Sequence, residues 1–407
     1  MHSIELKEYE QRSFVQDALE ECTGRQIWLR YSDKIEISPP TFQTLHQWYL
    51  KPKGWVGHIP IDKSLSLLIK PKVDLSNLFR MLEYAYRIKF TRDDYLVKSD
   101  SLPEFYQRLA NILAKQVLQR IIRGLYKEYI SCNDRLQFLK GRLKVEKMID
   151  KPWQVEPDCH YQVITSDNEE NRILAWTLFC IARTGLCKDT AKRNVRKACR
   201  GVCNFAAPVP IRPGICIGRH YNRLNFDYES MHALCRFFLE VTGPFHNVGN
   251  KSMLPFLIDM PKLYEEFVAE WLKQYLAKHY PGKFRLKKQA PLKIGLDNKV
   301  EFRIDMVLED VKTGRHVCLM DTKYKVEETP SASDLQQVIA YAKALGCKQA
   351  FLIYPNSFQI PFSALVGGDI HVQAITFGLD GDLEENGRTF FEQIARLAGE
   401  AFSYSSI

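Results

Sequence analysis

The sequence predicts an α+β protein of several domains, because three parts of its 407 residues differ in hydrophobic pattern. Residues 4–73 contain short alternating and aromatic runs separated by proline and glycine, which is typical of strands. Leu102–Tyr126 has apolar residues at helical spacing. The part after residue 251 predicts a helix, a strand hairpin, a second helix and a buried strand. We therefore expect a C-terminal α/β core in which helices flank a mixed sheet.

The first predicted domain, residues 1–100, is rich in strands. Gln26–Tyr31 and Leu65–Ile69 are aromatic or apolar runs of strand length, and the pattern becomes helical from Leu75 onward. The second predicted domain, residues 101–250, is a helical connector. Its further helices are expected at Asn168–Leu186 and Ser230–Glu240.

The third predicted domain, residues 251–407, begins with a helix that carries Glu265 near its start. A hairpin follows, with extended segments at Phe302–Leu308 and His316–Lys323 and a Lys-Thr-Gly turn between them. Beyond it, Ser333-Asp334 is expected to open a helix in which Gln337 and Tyr341, four residues apart, share one face. Gln349–Pro355 then predicts a buried strand that ends at the proline.

The hairpin brings together the residues that matter most for function. With its turn near Lys312 and Thr313, antiparallel pairing places Asp305 opposite Met320 or Asp321, where Cβ atoms are about 5 Å apart. Asp321 and Lys323 point to the same face and Thr322 to the other. Two carboxylates, a free carbonyl and waters suit Mg²⁺, and a lysine beside them can orient a nucleophile for phosphodiester hydrolysis. A surface hairpin with ordinary charges is the alternative.

The order of these elements resembles the PD-(D/E)XK nuclease superfamily. Its second motif is intact as Asp321-Thr322-Lys323, whereas Ile304 replaces the proline of the first motif, which supplies no ligand. The whole chain further resembles the McrC family, the nuclease subunits of McrBC modification-dependent restriction systems. The segments that carry this resemblance are Ile69–Val73, Leu78–Tyr86, Leu139–Leu143, Asp167–Leu174 and Leu263–Phe267, followed by the nuclease motif.

The resemblance implies a metal-dependent endodeoxyribonuclease in a 5-methylcytosine-type, GTP-dependent restriction complex. It implies Asp305 and Asp321 as metal ligands, with the Thr322 backbone carbonyl beside them and Mg²⁺, or alternatively Mn²⁺, as the ion. Lys323 would position the attacking water. Glu265 would add a helix carboxylate, and Gln337 and Tyr341 would lie near the phosphate.

The implied partners are double-stranded DNA and a ring of AAA+ GTPase subunits, whose GTP hydrolysis this family stimulates. Residues 1–100 would then be the module that docks on the ring. The sequence contains no GxxxxGK[ST] phosphate loop, so a different chain must hydrolyse the nucleotide. Two other functions stay open: a largely non-catalytic assembly and activation factor of the ring, and a stand-alone repair nuclease of the same superfamily.

The net charge of +9 is compatible with a polyanionic partner. One basic cluster lies within Lys188–Arg200, and a second lies just before the hairpin. We expect the second cluster to contact DNA phosphates, which would give binding without sequence preference. Its members are Lys283, Arg285, Lys287, Lys288 and Lys293. The N-terminus has no apolar signal core and no stretch has the length of a membrane span, so we expect a cytoplasmic protein without membrane contact.

Overall fold

A computed structural model describes residues 2–15, 19–61, 65–88, 101–145, 149, 153, 155–242, 254–294, 300–325 and 329–398. The chain divides into two compact units. Met1–Phe90 and Leu257–Ile407 together form the first unit, and Thr91–Phe256 forms the second. The predicted connector, residues 101–250, falls inside the second unit. The division into three functional domains stays a prediction.

The N-terminal part of the first unit contains two small sheets. Its elements are β1 (His2–Lys7), β2 (Arg12–Phe14), α1 (Glu21–Tyr31), β3 (Ile35–Ser38), β4 (Trp48–Pro52), β5 (Trp55–Pro60), β6 (Leu65–Lys70) and α2 (Leu75–Tyr86). Strands β2, β4 and β3 form one antiparallel sheet. In the other, β1 pairs in parallel with β6, and β6 pairs antiparallel with β5. The expected strand at Leu65–Ile69 and the helix from Leu75 are confirmed.

The expected strand at Gln26–Tyr31 is wrong, because these residues lie in helix α1. The residues that this helix buries are Thr23, Gly24 and Ile27, whose spacing fits a helical turn. Trp28 and Leu29 remain more than half exposed. A short apolar run cannot separate strand from helix by its own periodicity, and here the buried residues upstream decide it.

The second unit combines helices with a three-stranded antiparallel sheet. Its elements are α3 (Leu102–Arg123), β7 (Glu128–Arg135), β8 (Arg142–Leu143), β9 (Asp158–Thr165), α4 (Glu169–Thr184), α5 (Asp189–Cys203), a 3₁₀ turn at Pro213–Cys216 and α6 (Tyr228–Val241). The expected helices are confirmed. The sheet, in the order β7-β9-β8, was not predicted, because only helices were expected within the connector. Almost every residue of β7 is exposed, so this strand lacks the alternating buried face that would have revealed it.

The C-terminal part of the first unit contains the mixed sheet that the sequence predicts. Its elements are β10 (Phe256–Asp259), α7 (Met260–His279), β11 (Phe284–Ile294), β12 (Val300–Asp310), β13 (His316–Thr322), α8 (Ala332–Leu345), β14 (Gln349–Tyr354), β15 (Ser363–Val366), β16 (Ile370–Thr376) and α9 (Leu383–Ala398). Six strands are ordered β11-β12-β13-β14-β16-β15, and β13, β14 and β16 run parallel. Strand β10 joins the sheet of β1, β6 and β5.

The core of this part lies between the mixed sheet and α8, where Ile304, Leu319 and Leu352 pack with Val338 and Tyr341. Helix α8 begins slightly earlier than predicted. Its cap is Ser331, whose hydroxyl accepts a 3.2 Å hydrogen bond from the Asp334 amide. Among the described helices, none combines the length and apolar character that crossing a membrane requires.

Candidate active site

The hairpin of β12 and β13 has the predicted register. Met306 pairs with Met320, so Asp305 lies one residue further, opposite Asp321. The turn is also as expected: Gly314 has a left-handed φ of +68°, and the Asp310 carboxylate accepts hydrogen bonds from the Lys312 and Thr313 amides. Residues that face each other across an antiparallel pair share one side of the sheet. The two aspartates therefore belong to the same site.

Thr322 contacts Asp305 directly. Its amide and its hydroxyl each donate a 2.9 Å hydrogen bond to Asp305 Oδ2. The expectation that the Thr322 side chain points away from the aspartates is therefore wrong. Strand β13 ends at Thr322, where the strict alternation of side chains no longer applies. The double contact fixes one oxygen of the Asp305 carboxylate.

Lys323 is the centre of a polar network with helix α8. Its ammonium lies 2.6 Å from Asp321 Oδ2 and 3.6 Å from Asp334 Oδ1, and it donates a 3.0 Å hydrogen bond to Gln337 Oε1. The Gln337 amide in turn donates to the Tyr341 hydroxyl at 3.0 Å. The structure thus brings Gln337 and Tyr341 to the lysine through the predicted helical spacing. Asp334 is a member that we had expected only as a helix-start residue.

Glu265 lies in the second turn of α7 and accepts a hydrogen bond from the Gln289 side chain. Gln289 was not predicted as a site residue. It falls between the paired positions Lys288–Met306 and Ala290–Ile304, so it faces Asp305 across β11 and β12. Its φ of +47° is a left-handed conformation that non-glycine residues rarely adopt. Such strain is retained where the surroundings impose it, and it commonly lies at functional sites.

The three acids of this site are all harder to ionise than usual. Burial, followed by repulsion from Asp305, raises the pKa of Glu265 to about 7. Burial and the Asp305 charge also raise the pKa of Asp321 to about 6, although Lys323 opposes the shift. The pKa of Asp305 is raised by burial against the opposing effect of the Thr322 hydrogen bonds. A cation beside Asp305 would relieve the repulsion that Asp305 exerts on Glu265 and on Asp321.

The donor set fits a hard divalent ion with few protein ligands. Among the described residues, no cluster of three or more His, Cys, Asp and Glu side chains forms a ready-made metal cage. Asp305 and Asp321 nevertheless lie opposite each other in the hairpin, and buried Asp321 Oδ2, 2.6 Å from the Lys323 ammonium, has no further hydrogen-bond partner among the described residues. Mg²⁺ is typically held by one or two carboxylates together with waters. The residues present are compatible with such a site.

The N-terminal strand also reaches this region, which no local signal in the sequence indicated. Buried Glu8 accepts hydrogen bonds of 3.3 Å from the Tyr324 hydroxyl and from the Lys72 amide. The Tyr9 hydroxyl donates to the Tyr324 carbonyl at 3.3 Å. Tyr324 directly follows Lys323 in the chain. Contacts between residues more than 300 positions apart therefore fix Tyr324, which follows the Asp321-Thr322-Lys323 motif. A cavity of about 130 Å³, which Tyr9, Lys72 and Tyr324 help to line, lies beside it.

Two of the five residues in the predicted DNA cluster, both on β11, are paired with acidic neighbours. Lys287 donates to Glu309, and Lys288 lies 2.6 Å from Glu266. Lys283 Nζ lies 5.1 Å from the ring centre of Phe284. Arg285 is exposed, and the side chain of Lys293 lies outside the described residues. Of the four members whose side chains the structure describes, Lys287 and Lys288 are therefore not free to bind phosphates without giving up an acidic partner.

Comparison with known proteins gives both a family and a fold. The family model described as McrBC 5-methylcytosine restriction system component matches residues 50–355. A search of curated proteins found no match. One solved structure is a refined half-complex from a tetradecameric assembly of Thermococcus gammatolerans McrB AAA+ hexamers with bound McrC. A chain of that complex is 19% identical, with a TM-score of 0.55 over 97% of this chain and 100% of that one.

A second solved structure is the cryo-EM structure of the Thermococcus gammatolerans McrBC complex. The matched chain is 20% identical with a TM-score of 0.46, over 68% of this chain and 89% of that one. At these identities the first structure supports the fold alone. The family match covers about three quarters of the sequence and includes the hairpin with Asp305, Asp321 and Lys323. The chain belongs to the family of McrBC 5-methylcytosine restriction system components.

Proposed function

We propose that this protein is the Mg²⁺-dependent DNA endonuclease subunit of a GTP-dependent, modification-dependent restriction complex. The observation that carries the proposal is the convergence of Asp305, Asp321 and Lys323 at one end of the hairpin. All three side chains are at least half-buried, and both acids are held where ionisation is costly. Retaining such a set of charges destabilises a fold, so it indicates a task in catalysis.

Asp305 and Asp321 would hold the ion, with the Thr322 backbone carbonyl as a third oxygen. The hydrogen bonds from Thr322 restrict Asp305 Oδ2, and they leave Oδ1 as the freer oxygen. A bound Mg²⁺, or Mn²⁺ in its place, would supply the positive charge that stabilises a phosphodiester group during hydrolysis. The fixed carboxylate orientation lowers the entropic cost of forming this arrangement.

Lys323 would orient the attacking water, and its positive charge would stabilise negative charge on the phosphodiester beside it. Burial opposes its charge, yet Asp321 and then Asp334 raise the pKa of Lys323, so it stays a cation. Gln337 fixes the ammonium from the α8 side, and Tyr341 fixes Gln337. These two residues act on the lysine and need not touch DNA.

Glu265 would exchange a proton with the attacking water or with the leaving group. Its pKa of about 7 places both protonation states within reach at neutral pH. Gln289 holds Oε1, which leaves Oε2 to accept or release the proton.

The test is cleavage of methylated duplex DNA by Asp321→Asn, assembled with its GTPase partner. Loss of cleavage is expected from a variant that still folds and still binds the partner. Asp369→Asn is the matched control, because Asp369 is exposed in the turn between β15 and β16 of the same sheet. Undiminished cleavage by Asp321→Asn would contradict the proposed active site.

We further propose that the chain docks on an AAA+ GTPase ring, as McrC does in the Thermococcus gammatolerans assembly. Residues 1–100 stay the predicted docking module. The sheet β7-β9-β8 and its connections offer a second docking surface, because they expose large apolar side chains, and such exposure is typical of a protein interface. Tyr129 and Ile164 in the strands and Phe138 and Leu139 in the connection between β7 and β8 are each more than half accessible.

This exposed sheet also favours a second function, the assembly and activation of the ring. Measuring the partner's GTP hydrolysis with Asp321→Asn separates the two functions. Stimulation that survives the substitution would identify activation as independent of cleavage. A stand-alone repair nuclease makes the opposite prediction, because the purified chain alone would then cut DNA in Mg²⁺.

A further inference from the structure

Helix α5 has two chemically distinct faces. Ala191, Val195, Ala198 and Val202 are buried along one side. Five cationic side chains lie along the opposite side: Lys192, Arg193, Arg196, Lys197 and Arg200. At 100° per residue these five fall within an arc of about 140°, so they form a single stripe. We call this stripe the α5 basic face.

The α5 basic face carries uncompensated charge. All five of its side chains are exposed, and none forms an ion pair with another described residue. The only acid within the helix is Asp189, in its first turn. The contrast with β11 is clear, because Lys287 and Lys288 there are paired with Glu309 and Glu266. All five cations of the α5 basic face therefore keep their charge available.

The helix is held firmly beneath this face. The Asn194 side chain donates a 2.8 Å hydrogen bond to Asn111 of α3, and the Lys188 amide donates to Gln107 at 2.9 Å. Gly201 lies so close to Ile121 that an added Cβ would approach it to 2.7 Å. The cations are therefore presented by a rigid support. From Lys192 to Arg200 the helix rises about 12 Å, and duplex DNA carries roughly seven phosphate charges over that length of axis.

We propose that the α5 basic face binds the phosphate backbone of double-stranded DNA. This inference rests on the proposed nuclease function and adds a DNA contact in the second unit, apart from the residues that cut. Lysine and arginine contacts of this kind hold the duplex without reading its sequence. The expected signature is strong weakening by salt, because each phosphate contact releases condensed counterions.

The test is DNA affinity of the full-length chain carrying Lys192→Gln, Arg196→Gln and Lys197→Gln together. Glutamine keeps the helix propensity of lysine and arginine, so α5 should fold. Fluorescence anisotropy with a 30-base-pair duplex is measured in EDTA between about 50 and 200 mM salt. The slope of log K against log salt should fall by about 2 to 3, and affinity should drop roughly tenfold or more at the upper salt concentration.

The matched control is Arg25→Gln, Lys273→Gln and Lys278→Gln, which removes the same charge from exposed positions of α1 and α7. Only a small change is expected there. Equal salt slopes for the α5 variant and this control would overturn the proposal. Unchanged DNA affinity with lost binding of the GTPase partner would also overturn it and would assign α5 to an acidic protein surface. Because EDTA prevents cleavage, these results stand apart from those for Asp321→Asn.

Discussion

Two antiparallel strand pairs in this molecule use side chains in opposite ways. The β12–β13 hairpin of the first unit keeps acids and a lysine in a buried setting, where each is costly unless a partner compensates it. The β7–β9 pair of the second unit exposes apolar groups to solvent, with Tyr129 directly opposite Ile164. Each pair violates the usual separation of polar and apolar residues. The first violation points to chemistry and the second to a partner surface.

The largest expected effect is that of Lys323→Ala. The DNA cleavage rate should fall by about 10²- to 10⁴-fold, because the charge that orients the nucleophile and compensates Asp321 is lost. Partner binding should be unchanged if the hairpin and the exposed sheet act separately. Rates from single-turnover cleavage check the first point. Lys312→Ala in the exposed turn of the same hairpin is the control. Loss of partner binding by Lys323→Ala would show that the hairpin and the exposed sheet do not act separately.

The second effect concerns the exposed pair. Tyr129→Ser with Ile164→Ser should weaken binding to the GTPase ring by about 30-fold, as expected for two central apolar contacts. Thermal stability should hardly change, because exposed side chains contribute little to folding. Binding is measured by titration calorimetry.

A matched pair of substitutions, Trp28→Ser with Leu29→Ser on α1, tests the predicted docking module 1–100. Weaker binding by this pair alone would place the partner surface on the N-terminal part and not on β7–β9.

The third effect is a pH dependence from Glu8. Burial raises its pKa from 4.5 to about 7, so the folded state holds a proton that the unfolded state releases between these values. The contribution to stability is therefore complete below about pH 4.5 and is lost as pH rises through 7. Glu8→Gln should reduce this decline by up to about 3 kcal/mol. Urea melts from pH 4.5 to 8 measure it.

Glu5→Gln on the exposed side of β1 is the control for Glu8→Gln, and it should leave the pH dependence intact. An identical decline in the wild type and in Glu8→Gln would show that the other buried acids cause it. The acids of the β12–β13 hairpin, whose pKa values are also raised, would then be the source of the decline.

The smallest effect is expected for Gln289→Gly. Glycine removes the cost of the left-handed backbone, about 1 kcal/mol, while the hydrogen bond to Glu265 is lost. Stability should change by less than about 1 kcal/mol, and the cleavage rate should fall severalfold with a shifted pH profile. Gln274→Gly on the exposed side of α7 would instead only destabilise the fold. An unaltered pH profile of cleavage would show that Gln289 does not act on Glu265.

The sequence was most informative where the decisive contacts are local. Asp305 and Asp321 are joined by one short turn, so counting residues was enough to set their register. Gln337 and Tyr341 are one helical turn apart, and the structure places them in the same chain of hydrogen bonds from Lys323.

Contacts between distant segments were not accessible in this way. Nothing near Glu8 indicates Tyr324, and nothing near Lys287 indicates that Glu309 neutralises it. Strand β7 escaped prediction because a strand with almost every residue exposed has no period of burial to follow.

The first unit is interrupted in the chain by the second, and this has a consequence for biosynthesis. A ribosome releases all of Thr91–Phe256 before it has made Asp305, so the second unit can fold while the residues of the proposed active site do not yet exist. The contacts of Glu8 with Tyr324 and of Asn77 with Leu379 close loops of more than 300 residues, which form late in folding. The order in which the chain leaves the ribosome therefore allows a partner to bind the second unit before the β12–β13 hairpin is complete.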